Sequence, residues 1–160
     1  MQFSHSQRDL AFRALEEAEI RISDYYCIPP FRWQQLHYDL LTRKDSGWQP
    51  LPEGMLARTQ RCQWHIPRHG EPSDFFRIEL NDPGILIAAR RERLRQDLYP
   101  LLLYILTHEM VHLVRLSSIL TDSEQLAMAR EPEETRVRQI ARRILAPTPT
   151  PGLGSVLRRF

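Results

Sequence analysis

His108-Glu109-Met110-Val111-His112 places two imidazoles four residues apart, with a carboxylate directly after the first. On a helix, positions four apart differ by only about 40° in direction, so both imidazoles project from one face, one turn apart. Two ring nitrogens placed in this way reach a single zinc ion at bond lengths of ~2 Å. Glu109 lies about 100° round from His108 and about 60° from His112. It therefore stands beside the ligand face, where it meets a zinc-bound water as general base without displacing it. The competing interpretation makes both histidines neutral core residues, each hydrogen-bonded to a backbone carbonyl. The flanks weigh against it. Ile105, Leu106, Thr107, Met110, Val111, Leu113 and Val114 are all uncharged, so Glu109 would lie in an apolar helix with no cation to offset its burial, at a cost of several kcal/mol.

A hydrolytic zinc site needs a third protein ligand and an open position for water. No histidine follows His112, so the third ligand is expected among the acids downstream. Val137, Ile140, Ala141 and Ile144 form the apolar stripe of a last helix. Glu133 and Glu134 each lie within about 60° of the centre of that stripe, whereas Glu131 points well away. Either of the first two can face the histidines, although acids in a first turn also serve simply to complement the helix dipole. Arg115 is three residues past His112; it either orients a ligand carboxylate or a developing oxyanion, or pairs with a nearby acid. His65 and His69 stand in irregular text and are assigned to the surface.

These residues must be held by a scaffold whose elements are partly legible. Leu10, Ala14, Leu15, Ala18 and Ile22 recur at helical spacing over 4–22, with Ser6 and Asp9 resembling a capping box. Pro29-Pro30 stops the helix, and a second apolar segment covers 33–41. Residues 44–72 are rich in Gly, Pro, Gln and Arg and suggest loops with short strands. In 75–80, Phe76, Ile78 and Leu80 alternate with Phe75, Arg77 and Glu79 as in a half-buried strand, ended by a turn at Asn81-Asp-Pro-Gly. A helix is expected over 84–94. The segment 99–120, apolar all round and with Pro100 in its first turn, predicts a central buried helix. In the last helix Arg136, Arg138, Arg142 and Arg143 face water or a partner, and Pro147-Thr-Pro-Thr-Pro-Gly opens an extended tail.

The combination of His108-Glu109-x-x-His112 on a buried helix with a glutamate on the next helix resembles the gluzincin branch of the zincin metallopeptidases. The closing Glu134, Ile140-Ala141, Ile144-Leu145 and Pro147 look like the ligand helix of the small bacterial metallopeptidases of the ImmA/IrrE type, and on that alignment Glu134 takes the third-ligand position. Val137, Arg138 and Gln139 stand where that family tends to have small residues, which keeps Glu133 as the alternative third ligand. The likeness covers the last third of the chain. It implies an α+β fold: one helix-rich domain over 1–147 with a minimal zincin core and a small antiparallel sheet, followed by the tail, 148–160. It also implies Zn2+ as cofactor, peptide-bond hydrolysis with Glu109 as general base, and an edge strand that holds an extended peptide or protein substrate by strand addition; 75–80 is placed to be that strand, or is equally an ordinary strand of the sheet.

Bulk properties restrict the rest. A chain of 160 residues is long enough to bury its own core. The 22 basic and 20 acidic residues nearly cancel, leaving +2, and no like-charge run forms a nucleic-acid arm, so nucleic acid is not the expected partner. No stretch reaches the ~18 apolar residues of a membrane span, and the first residues do not read as a secretion signal, which suggests a soluble, cytoplasmic protein. Cys27 and Cys62 form no Cys-x-x-Cys pair and are expected as thiols. Two other function classes stay in view: a non-catalytic module with the zincin-like fold that the resemblance implies, which binds or regulates a protein, and a factor contacting phosphates through Arg136, Arg138, Arg142, Arg143, Arg158 and Arg159. Oligomeric state is not legible.

Overall fold

The computed structural model describes residues 1–34, 36–63, 74–94, 97–117 and 132–160. Among them lie six helices and a three-stranded sheet: α1 (His5–Tyr26), α2 (Pro30–Gln34), β1 (Tyr38–Leu41), β2 (Ala57–Gln63), β3 (Asp74–Leu80), α3 (Asp82–Arg91), α4 (Tyr99–Leu116), α5 (Glu133–Leu145) and α6 (Leu153–Arg159). The expected α+β class is what the chain adopts.

Helix α4 is the axis of the molecule. Between Pro100 and Val114 every residue is buried except His108 and His112, which are half-buried. Helices α1, α5 and α6 and strand β2 all pack against it. Each fully buried aliphatic side chain contributes ~1.5–3 kcal/mol, and Leu101, Leu102, Leu103, Leu106, Met110 and Leu113 are all fully buried. Turning α4 about its axis would expose several of them together. That penalty fixes the direction in which the two imidazoles point.

Helix α1 supplies a close-packing face of Ala11, Ala14, Leu15, Ala18 and Ile22. Its capping box lies two residues earlier than expected. The Ser4 hydroxyl accepts from the Gln7 backbone N–H, and the Gln7 side chain accepts from the Ser4 N–H at 2.8 Å; Ser6 lies inside the first turn. The helix ends at Cys27, whose φ of 54° is left-handed, just ahead of the two prolines. Both Cys27 and Cys62 are free thiols.

The sheet departs from expectation in two ways. It is mixed rather than antiparallel: the order is β1-β3-β2, with β1 parallel and β2 antiparallel to β3. The direction reverses from β1 to β2 and again from β2 to β3, and β3 inserts between the other two, so the first and third strands run the same way. The second departure follows from the first. Strand β3, expected at an edge, is the centre of the sheet, with its backbone groups engaged on both sides. Among the described residues the edge beside α4 belongs to β2.

Both faces of β3 are buried, since Glu79 is as inaccessible as Ile78. Glu79 accepts from the Arg58 guanidinium and from the Gln49 N–H, each at 3.1 Å, and Trp48 Nε1 donates to the Leu80 carbonyl, so the segment around Trp48 covers the face expected to meet water. Asn81 then caps α3 directly, its side-chain oxygen accepting from Gly84 N–H, where the sequence suggested a free turn. A Cβ on Gly84 would come within 2.7 Å of the Asn81 amide, so the cap depends on that glycine. Buried Asp82 accepts from the N–H groups of Phe3 and Arg43 and ties the N-terminal segment to the end of β1.

The C-terminal tail is not extended. After Gly152, which has a φ of +84°, α6 returns to α4 and buries Leu153 and Val156. Leu153, Val156, Leu157 and Phe160 recur at three- and four-residue spacing, an amphipathic period outweighed in the sequence by the preceding Pro-Thr-Pro-Thr-Pro run. The break expected at 121–123, the residues Trp64, His65 and His69, and Glu131 lie outside the described residues. No helix among the described residues is long and apolar enough to cross a membrane.

Candidate metal centre and its cavity

Helices α4 and α5 run antiparallel. Arg115 meets Glu133, and His112 and His108, further back along α4, both meet Glu134. One carboxylate faces both imidazoles: Glu134 Oε1 lies 2.8 Å from His112 Nε2, and Oε2 lies 3.2 Å from His108 Nε2. The three donor atoms sit within 4.8 Å of one another. Four ligands arranged tetrahedrally at ~2.0–2.1 Å stand roughly 3.3 Å apart, so His108, His112 and Glu134 need little rearrangement to enclose one ion.

The chemistry of the donors agrees with this geometry. A histidine must be neutral to ligate, and burial, reinforced by the neighbouring His112, pushes His108 down to about 4 despite the opposing pull of Glu134. Neither imidazole is hydrogen-bonded to a backbone carbonyl among the described residues, as the core-histidine interpretation required. His108 Nδ1 is buried with no partner there.

Glu133, the alternative third ligand, is turned away from the histidines. Arg115 grips it with both arms of the guanidinium, Nε to Oε1 and an Nη to Oε2, each at 2.7 Å, and that cation holds the Glu133 carboxyl below its ordinary pKa. Of the roles open to Arg115, pairing with an acid is the one adopted. The fork ties the first turn of α5 to the last turn of α4, and the residue it anchors is the immediate neighbour of Glu134.

Glu109 is 7% exposed, and burial raises its pKa, an effect partly countered by Thr59 and by His112. Thr59 Oγ1 stands 2.7 Å from Glu109 Oε2 and 3.1 Å from the Glu109 backbone carbonyl. This contact from β2 is a partner that no local pattern announced. It engages one carboxylate oxygen with a neutral donor. Thr59→Val, which keeps the shape and deletes the donor, is expected to raise the Glu109 carboxyl pKa further, because the Thr59 hydrogen bond opposes the effect of burial. Titration of the Glu109 carboxyl followed by NMR in both proteins checks this.

His108, Glu109 and Glu134 line a cavity of about 460 Å3 completed by Tyr104, Ile105, Arg138 and Phe160 and by 52–57. Tyr104 is one turn before His108 on α4, their ring centroids 6.2 Å apart, and Phe160 packs near Tyr104 at 6.5 Å. Burial raises the Tyr104 hydroxyl pKa, opposed by the guanidinium groups of Arg142 and Arg138.

Compared with protein-family models, with curated proteins and with solved structures, the chain matches none of them. Function is therefore argued from the site itself. The structure brings His108, Glu109, His112 and Glu134 to one place and directs Glu133 to Arg115. Sequence reasoning passed over Thr59 as the partner of Glu109, and Tyr104, Arg138 and Phe160 as cavity residues. Helical arithmetic was available for two of them, since Tyr104 is four residues before His108 and Arg138 four after Glu134.

Proposed function

We propose that this protein is a zinc-dependent metallopeptidase whose metal is held by His108, His112 and Glu134. The observation that carries this reading is the convergence of three neutral or anionic donors within 4.8 Å at the wall of a cavity, with a buried carboxylate beside them. A purely structural zinc site has four protein ligands and is closed; here the donors among the described residues number three, and the cavity adjoins them. A zinc ion so bound lowers the pKa of a water and polarises a carbonyl. Glu109 takes the proton of the attacking water and delivers a proton to the departing amine. Its burial supports this role, because a carboxyl shifted upward is the stronger base and returns the proton more readily. Thr59 fixes its orientation. Among the described residues β2 is an outer strand of the sheet and adjoins α4, and it is the strand to which an extended substrate would add, in place of β3.

The test is hydrolysis of a mixed peptide library followed by mass spectrometry. Cleavage should vanish on chelation and return with stoichiometric zinc. Cleavage that persists in the chelated, metal-free protein would overturn the reading. The near-neutral charge continues to argue against nucleic acid as partner.

A further inference from the structure

Arg138 lies one turn beyond Glu134 on α5, on the same face and about 6 Å further along the axis. It lines the same cavity as His108, Glu109 and Glu134. The two acids nearest to it on its own helix are already engaged, Glu133 by Arg115 and Glu134 by the histidines, and no carboxylate among the described residues pairs with Arg138. The cavity's other charged side chains are acids, Glu53, Glu109 and Glu134. Among the described residues that line the cavity, Arg138 is the one guanidinium.

We propose that Arg138 binds a carboxylate of the substrate, so that the peptides taken by this site carry a carboxylate within about two residues of the bond to be cut. A guanidinium presents a planar fork of donors matched to a carboxylate. One residue of extended chain spans ~3.3–3.6 Å. An arginine about 6 Å along the helix from the ligand carboxylate therefore meets a group within about two residues of the scissile bond. A terminal carboxylate and the side chain of aspartate or glutamate offer the same chemistry there. The inference rests on the metallopeptidase reading.

Three hydroxamates of equal length separate the possibilities when titrated calorimetrically against the zinc-loaded full chain. One ends in a free carboxylate, one ends in an amide, and one ends in an amide but carries an aspartate side chain. At least one carboxylate-bearing compound should bind about tenfold more tightly than the plain amide, and which one it is identifies the source of the carboxylate. In Arg138→Gln this preference should disappear while the affinity for the plain amide is kept. Arg138→Lys, which retains the charge without the fork, should preserve part of it. Equal affinity for all three compounds in the wild type, or a preference that survives in Arg138→Gln, overturns the proposal with the metal site intact. Failure of all three to bind overturns it together with the zinc reading.

Discussion

Zinc is expected to bind the wild-type chain at about one equivalent, and His112→Ala and Glu134→Ala are each expected to weaken that binding at least about a hundredfold. Loss of a group that merely supports a ligand already costs 10–100-fold in affinity, so loss of a ligand itself should cost no less. The two variants test different parts of the site. His112 is half-buried on α4, whereas the Glu134 side chain is 66% exposed on α5 and contributes little to packing. Glu134→Ala should therefore lose zinc with its thermal stability, measured without metal, close to that of the wild type. Glu133→Gln is the internal comparison: its carboxylate is held by Arg115 and not by the histidines, and it should keep zinc. Elemental analysis of the untagged proteins, with competition titration against a chelator for affinity, measures all three. Zinc retained in Glu134→Ala and lost in Glu133→Gln would reassign the third ligand to the neighbouring residue.

Glu109→Gln should abolish hydrolysis, by about 10²–10⁴ in kcat, and leave both zinc binding and fold in place. Glutamine has nearly the same shape, and Thr59 can still donate to its side-chain oxygen. What it lacks is the ability to take up and return a proton. Stability should be equal to or above that of the wild type, because the substitution replaces a carboxylate whose burial disfavours its charged form. The two readouts together carry the argument. A variant that loses activity and zinc at once would make Glu109 a structural support, and one that keeps activity would remove it from the reaction.

Much of the site was legible in the chain itself because it is built from helical repeats. Four-residue spacing on one helix sets His108 and His112 on a common face whatever surrounds them, and an apolar flank marks that helix as buried. The stripe Val137, Ile140, Ala141, Ile144 and Leu145 is buried as a set, so the orientation of α5, and with it two candidate acids, also followed from local periodicity. Periodicity could not choose between Glu133 and Glu134, which differ by a single step round the helix. That choice was made by Arg115, whose fork takes Glu133.

The remainder depended on contacts distant in sequence. Strand alternation identified β3, but it carries no information on neighbours, and the position of β3 at the centre was decided by which strands found it. Thr59 is 50 residues from Glu109, on a strand whose own pattern was obscure, and only the packing of β2 against α4 brings its hydroxyl to the carboxylate. The last residues illustrate the same limit. Their apolar spacing was present in the chain, yet its consequence depended on a surface of α4 to receive Leu153 and Val156. Local sequence determined which helices form and which faces they bury, because hydrogen bonding and side-chain direction in a helix are set within a turn. The tertiary structure alone decided which acid meets the histidines, which strand is the edge and what orients Glu109, because those are outcomes of competition among partners that no local segment contains.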